Sequence, residues 1–259
     1  YRFYRDLDKD PHAQHCFPGI DVHEAHTILN EAIRNDRHYL PENESFGIFS
    51  IYGLPLVPSR TAFSREEAVE AAEGIGFPVV MKVVSEQVIH KTDVGGVVLN
   101  INNAEGAALA WDSIVEQVSH NLPEAVIHGM QVEKMITGGT EVILGIKRDP
   151  SFGPLIMFGL GGVYVEVFKD VSFRVAPFDE AIADAMIHQV KSFRILDGYR
   201  GNPRRDLKAI RDCLLRLSQL AVECPQIKEL DINPLIVLEE GKGCFVADAR
   251  ILLDDGIGH

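Results

Sequence analysis

Residues 229–238, Glu-Leu-Asp-Ile-Asn-Pro-Leu-Ile-Val-Leu, place two polar side chains inside an apolar run. A second apolar stretch, residues 244–249, follows after a turn with two glycines, and this pattern predicts a β-hairpin. Side chains at i and i+2 share one strand face, so Asp231 and Asn233 point the same way, and Asp248 returns on the second strand. Carboxylate and amide oxygens, completed by phosphate oxygens and water, suit Mg²⁺. The hairpin is therefore interpreted as a metal site.

The stretch Phe77-Pro-Val-Val-Met-Lys-Val-Val84 predicts a strand that carries one lysine among valines. Burying an ammonium without a partner is costly. Lys82 therefore either extends its charged end to solvent or faces an anion in a cleft. The pattern alone leaves both interpretations open.

A polar loop, His90-Lys-Thr-Asp-Val-Gly-Gly96, follows this strand. Gly95 and Gly96 would allow backbone N–H groups to approach phosphate oxygens closely. Lys91 adds positive charge, and the imidazole of His90 could act as a nucleophile or an acid–base group. The alternative is a polar loop that ends in a hairpin turn.

Two glutamates flank the predicted turn Thr137-Gly-Gly-Thr140. The carboxylates of Glu133 and Glu141 could accept hydrogen bonds from an adenine amino group or from ribose hydroxyls. Exposed strand carboxylates would give the same spacing. A nucleotide–Mg²⁺ site would account for four features of this chain together. They are a lysine that could bind phosphate, a glycine-rich loop, two carboxylates that could bind adenine or ribose, and a hairpin that could bind a metal.

Five stretches together resemble the ATP-grasp subunit of ADP-forming acetyl-CoA (acyl-CoA) synthetases, a family related to succinyl-CoA synthetase β subunits. The resemblance runs in unbroken order over about residues 45–255. The stretches are Phe77-Pro-Val-Val-Met-Lys82, Ile89-His-Lys-Thr-Asp-Val-Gly-Gly-Val97, Val132-Glu-Lys-Met-Ile136, Phe152-Gly-Pro154 with Gly159-Leu-Gly-Gly162, and Asp231-Ile-Asn-Pro-Leu235.

The resemblance implies an α+β ATP-grasp fold, in which two lobes with mixed sheets and flanking helices hold a nucleotide. We expect residues 1–44 to be an N-terminal extension or linker with one helix. Residues 45–130 would form the N-terminal lobe, and residues 131–259 the C-terminal lobe with the metal site. Because no Met opens the sequence, we expect a piece of a larger protein.

The resemblance also implies a role for each matching residue. Lys82 would contact the α and β phosphates, and Lys91, Gly95 and Gly96 would lie near the transferred phosphoryl group. Adenine and ribose would be bound by Glu133 at the hinge, the backbone of Ile136, and Glu141. Asn233 and Asp248 would hold Mg²⁺, and His90 would be the second phosphohistidine of a relay.

The implied function is the nucleotide-binding half of an ADP-forming acyl-CoA ligase, which uses ATP or ADP and Mg²⁺. A CoA-binding α-type subunit or fused domain would complete the reaction and select the acid. Two alternatives remain: a catalytically silent ATP-grasp module of a protein lysine acetyltransferase, and an ATP-grasp carboxylate–amine ligase that needs no phosphohistidine. The sequence specifies neither the carboxylic acid nor ATP over GTP.

The net charge of −13 argues against broad binding to nucleic acids or anionic membranes. The sequence contains no run of about 18 apolar residues, so no transmembrane helix is predicted. The four cysteines form no CxxC pair, so we expect free thiols in a reducing cytoplasm.

Overall fold

The structure is a computed structural model that describes residues 16–40, 42–85, 87–88, 91–162 and 169–254 of the 259-residue chain. It divides into two compact units. One is the continuous segment Val57–Thr137, called here the inserted unit. The other, called the main unit, combines Tyr1–Leu56 with Gly138–His259.

The elements are named here in chain order over the described residues. The helices are α1 (Val22–Arg34), α2 (Glu42–Ile51), α3 (Arg65–Ile75), α4 (Ala104–Asn121), α5 (Glu180–Gln189), α6 (Phe193–Leu196) and α7 (Leu207–Glu223). The strands are β1 (Tyr39–Leu40), β2 (Ser59–Ala62), β3 (Val79–Val84), β4 (Val97–Ile101), β5 (Gly129–Lys134), β6 (Thr140–Asp149), β7 (Gly153–Leu160), β8 (Val171–Val175), β9 (Ile227–Val237), β10 (Cys244–Val246) and β11 (Ala249–Leu253).

The inserted unit is a four-stranded sheet in the order β2-β5-β3-β4, with antiparallel ladders throughout. Helices α3 and α4 begin at polar caps, because the side chains of Ser64 and Asn103 accept hydrogen bonds from Glu67 N and Gly106 N. Alternate β3 residues are buried in the core with alanines of both helices. Lys82 and its same-face neighbours lie on the opposite side of the sheet.

The main unit is built on a seven-stranded sheet in the order β1-β11-β9-β6-β7-β8, with β10 also paired to β9. Its ladders are antiparallel. Helix α7 buries a leucine-rich stripe in the core of this unit, and its N-cap Asp206 accepts a hydrogen bond from Ala209 N. Among the described residues, no helix is both long enough and apolar enough to cross a bilayer.

The α+β class is confirmed, and most expected elements lie where the sequence placed them. The sheets were predicted to be mixed. Between the described strands every ladder is antiparallel, and the parallel pairing there is an isolated bridge from Leu56 to Val246. The short connection between β6 and β7 reverses the chain direction, which requires antiparallel pairing of these two strands.

The unit boundaries differ from the predicted lobe boundaries at residues 45 and 131. Helix α2 buries Phe46, Ile48 and Phe49 in the core of the main unit. Helix α1 contributes buried residues to the same core, so the described part of the first 44 residues is not merely a linker. Strand β5 lies at the centre of the inserted sheet, which moves that boundary to Thr137.

Candidate functional site

The inserted unit places Lys82 and Glu133 in direct contact. Lys82 Nζ lies 2.9 Å from Glu133 Oε2, and only 12% and 4% of the two side chains are exposed. In the β3–β5 register Lys82 is opposite Gln131 and Val80 is opposite Glu133, so the two charged residues are diagonal neighbours on one sheet face. This pairing was not predicted from the sequence, where the available signal was a lysine among the valines of β3.

The glycine loop is closed by its own hydrogen bonds. Gly96 N donates to Lys91 O at 2.7 Å, and Gly95 N donates to Thr92 O at 3.2 Å. A Cβ on Gly96 would lie 2.6 Å from Val83 Cγ1 and 2.9 Å from Lys91 O. Turn closure and close packing therefore explain the two glycines. Their amides, which were expected to approach phosphate, donate to carbonyl oxygens of the loop itself.

Lys91 and His90 are the two side chains of this loop that were expected to act on phosphate. Lys91 is half-buried at the start of the turn. His90, the expected phosphohistidine, lies outside the described residues.

The connection after β5 carries Ile136, the residue expected to bind adenine through its backbone. Ile136 is half-buried and lies outside any strand. The preceding residues are tied down, because Lys134 N donates to Pro58 O at 2.8 Å and Met135 N to Pro78 O at 3.0 Å. This anchoring fixes the chain immediately before Ile136, although no ligand contact follows from it alone.

The main unit brings the two expected metal ligands together. Asn233 N donates to Asp248 O at 3.1 Å, at the point where the chain passes from β10 to β11. Both residues are exposed, and Asp248 Oδ1 accepts a hydrogen bond from Ala249 N at 2.8 Å. Next to them, Ala247 N donates to Pro234 O. Two residues with oxygen-bearing side chains are therefore neighbours through their backbones, and both are exposed.

Strand β9 changes its register against β6 at this place. Val142 pairs with Leu235 and Leu144 with Ile232, so Asn233 and Pro234 together lie opposite a single β6 residue. Such a bulge locally redirects the strand. Leu235 and Ile232 remain in the core, while Asn233 faces away from it.

Glu141, the expected ribose ligand, is exposed on β6 and pairs with Ile236 of β9. Its carbonyl oxygen accepts a hydrogen bond from Gly161 N at 2.9 Å. A Cβ on Gly161 would approach the Cβ of Glu141 to 3.1 Å, so glycine suits this close approach. The structure thus places Glu141 in the same unit as the metal pair and leaves its carboxylate accessible.

Asp231 lies two residues before Asn233, half-buried, and pairs with Arg250 of β11. Burial raises the pKa of the Asp231 carboxyl above its usual value, although the nearby Arg250 guanidinium opposes this shift. Among the described residues, no group of three or more His, Cys, Asp or Glu side chains could hold a metal. Any cation at Asn233 and Asp248 would therefore take its remaining ligands from elsewhere.

The family model of the ATP-grasp domain matches residues 31–253. The chain belongs to the ATP-grasp family. This assignment confirms the expected fold, with its two α+β units each built on its own sheet.

Relatives of this ATP-grasp chain are ADP-forming CoA ligases. It is 43% identical over 232 residues to the β subunit of acetate–CoA ligase [ADP-forming] I from Pyrococcus furiosus, covering 90% of this chain and 99% of that subunit. It is 44% identical over 232 residues to 4-hydroxybutyrate–CoA ligase [ADP-forming] from Nitrosopumilus maritimus. That alignment covers 90% of this chain but only 33% of the relative, so the chain spans a third of that enzyme's length.

Solved structures of a Ca. Korarchaeum cryptofilum dinucleotide-forming acetyl-coenzyme A synthetase 1 share the fold. The complex with coenzyme A, Ca-AMPCP and HgCl⁺ superimposes with a TM-score of 0.84 at 47% identity, covering 89% of this chain and 100% of that one. A second complex holds coenzyme A and Mg-AMPPCP, with its phosphohistidine segment pointing towards the nucleotide binding site. It has a TM-score of 0.78 at 43% identity, with the same coverage.

Proposed function

We propose that this ATP-grasp chain is the nucleotide-binding half of an ADP-forming acyl-CoA synthetase. With a CoA-binding α-type subunit or fused domain it would interconvert acyl-CoA, ADP and phosphate with carboxylic acid, ATP and CoA. The observation that carries this proposal is the alignment with 99% of a subunit from such a ligase at 43% identity. The other relatives described above are CoA ligases or synthetases too, which favours this function over the acetyltransferase module and the carboxylate–amine ligase.

The nucleotide would be ATP or ADP. Lys82 supplies a nearly buried ammonium for phosphate oxygens, with Glu133 beside it. We assign Ile136 to adenine and Glu141 to ribose. Support comes from the accessible carboxylate of Glu141 and the anchored backbone before Ile136. Lys91 would add charge near the phosphates, while Gly95 and Gly96 shape the loop.

The residues present fit Mg²⁺. Asn233 and Asp248 are exposed, carry an amide and a carboxylate oxygen, and are joined through their backbones. Mg²⁺ commonly uses one or two protein oxygens and completes its octahedron with water and substrate phosphates. When bound, the ion would neutralise phosphate charge. The hydrogen bond from Asn233 N to Asp248 O fixes the backbones of the two candidate ligands next to each other.

We assign the relay to His90. An imidazole nitrogen of His90 would receive the phosphoryl group from the partner's phosphohistidine, forming one N–P bond as another breaks. In the second step an ADP β-phosphate oxygen forms the new O–P bond while the His90 N–P bond breaks. The chemistry needs in-line geometry and charge neutralisation more than additional covalent groups. A phosphohistidine segment in the Korarchaeum synthetase supports this type of relay.

The carboxylic acid would be selected by the partner. Two relatives of nearly equal identity to this chain, 43% and 44%, are named for acetate and for 4-hydroxybutyrate. Similar nucleotide halves therefore accompany different acids.

Nucleotide binding is tested by thermal unfolding of the purified chain with ADP, with and without Mg²⁺. A ligand at 100 times its Kd adds about 2.7 kcal/mol to the free energy of unfolding, so the midpoint should rise clearly. Unchanged midpoints with both ADP and ATP would contradict the proposal.

The relay is tested in the complete synthetase with its CoA-binding partner. His90→Ala should abolish ATP formation from acyl-CoA, ADP and phosphate and remove acid-labile phosphate from this chain. His120→Ala, an exposed histidine in the last turn of α4, is the matched control and should retain activity. Full activity in a folded His90→Ala enzyme would remove His90 from the mechanism.

A further inference from the structure

The buried contact between Lys82 and Glu133 assigns the carboxylate a specific task. Lys82 Nζ is 2.9 Å from Glu133 Oε2, and the carboxylate is 4% exposed. Its other oxygen, Oε1, is buried as well. A ligand that hydrogen-bonds to this carboxylate would have to reach oxygens that are already enclosed. Adenine recognition, the role expected from the resemblance, demands the opposite: an accessible acceptor aimed at the base.

The sheet geometry explains why the two side chains meet. Both lie on the face opposite the helix-covered core, on the central strands β3 and β5, and they are diagonal neighbours across the ladder. Strands pinned on both sides hold their backbones closely, so the distance between the two side chains is set by the sheet. A lysine ammonium on a flexible four-carbon stem lacks such positioning unless a partner fixes it.

We propose that Glu133 is a positioning residue that fixes the Lys82 ammonium where a nucleotide phosphate meets it, and that Glu133 does not contact adenine. This inference rests on the proposed nucleotide-binding function. An ammonium can donate three hydrogen bonds, so Lys82 can hold Glu133 and a phosphate oxygen together. The carboxylate also keeps the cation paired in a site where an isolated charge would be costly.

The test measures binding of ADP and inosine diphosphate, with Mg²⁺, by titration calorimetry. Inosine diphosphate carries a carbonyl where adenine has its amino group, so it reports any contact to that group. Glu133→Gln should weaken both ligands by the same factor, about tenfold to a hundredfold, the range for one hydrogen bond to a charged group. Lys82→Met should weaken both similarly, and the double variant should bind no more weakly than Lys82→Met alone.

A loss of preference for ADP over inosine diphosphate in Glu133→Gln would overturn the inference and restore adenine contact. Additive losses in the double variant would overturn it too, because Glu133 would then act independently of Lys82. Glu70→Gln, an exposed position on α3 of the same unit, is the matched control and should bind both ligands like the wild type.

Two outcomes separate this inference from the function on which it rests. If the wild-type chain binds no nucleotide, the proposed function fails, whatever the variants do. If Glu133→Gln does not fold, Glu133→Asp keeps the charge on a shorter stem. It should then weaken ADP and inosine diphosphate equally. A change in their ratio in that variant would contradict the positioning role.

Discussion

The two units present their candidate residues in opposite ways. In the inserted unit, Lys82 and Glu133 are nearly buried and paired, and the glycine loop is closed by its own hydrogen bonds. In the main unit, Asn233, Asp248 and Glu141 are exposed. An ammonium set into a sheet needs a fixed counter-charge, whereas oxygen ligands for a hydrated cation must stay accessible. The difference predicts that changes at Lys82 and Glu133 alter stability as well as nucleotide binding, while changes at the exposed residues of the main unit alter ligand response with little effect on stability.

The largest effect is expected from Lys82→Met. Removing the cation leaves the Glu133 carboxylate buried without its counter-charge, which should cost about 3 to 5 kcal/mol of the free energy of unfolding. Urea denaturation of the ligand-free chain measures this. The double variant with Glu133→Gln should recover part of the loss.

Lys208→Met provides the comparison, because Lys208 is an exposed cation on α7 of the main unit. Its effect should stay within about 0.5 kcal/mol, as is usual for surface substitutions. Equal losses in Lys82→Met and Lys208→Met would show that the buried pair contributes nothing special to stability.

Gly96→Ala should be the next largest. The added methyl group would lie 2.6 Å from Val83 Cγ1 and 2.9 Å from the Lys91 carbonyl oxygen, so strand or loop must move, at about 1 to 3 kcal/mol. Gly74→Ala is the control within the same unit. It lies in helix α3 with ordinary contacts, and the substitution should stabilise by about 0.5 kcal/mol. Denaturation midpoints that shift the same way in both variants would contradict the crowding at Gly96.

In the main unit, Asn233→Ala and Asp248→Ala should change the ligand-free stability by only about 0.5 kcal/mol, because both side chains are exposed. Each should instead remove most of the additional thermal stabilisation that Mg²⁺ gives to ADP binding. Melting curves with ADP, recorded with Mg²⁺ and with a chelator, measure this difference. A wild-type response to Mg²⁺ in both variants would place the metal elsewhere.

The sequence predicted the proximity of Asn233 and Asp248 better than that of Lys82 and Glu133, and the reason is physical. Asn233 and Asp248 lie on a local hairpin, whose turn and alternation bring them together over a short stretch of chain. Lys82 and Glu133 meet only through the β3–β5 register, which depends on packing by α3 and α4 and cannot be read from either strand.

The unit boundaries depend on contacts between distant parts of the chain, which the sequence does not show. The main unit is formed from two separated parts of the chain, and its core recruits α1 and α2 from before the insertion. The apolar residues of α2 indicate that this segment needs burial but do not show which sheet buries it. The α+β class survived this ambiguity, because it depends on which elements exist and not on how they are grouped.

Asp231 is half-buried on β9, the strand that also carries the exposed Asn233. Burial raises its pKa above the ordinary value of 3.8, against the opposing charge of Arg250. Since the folded state then holds the proton more tightly than the unfolded state, this contribution to stability is present below pH 3.8 and is lost as the pH rises through the folded pKa.

The variant Asp231→Asn lacks this titration, so its free energy of unfolding relative to the wild type should rise over that pH window and then level off. Arg250→Met, which removes the opposing cation, should widen the window in the wild-type background. Parallel stability–pH curves for the wild type and Asp231→Asn would show that Asp231 is as well solvated as its exposed neighbours, and the contrast along β9 would disappear.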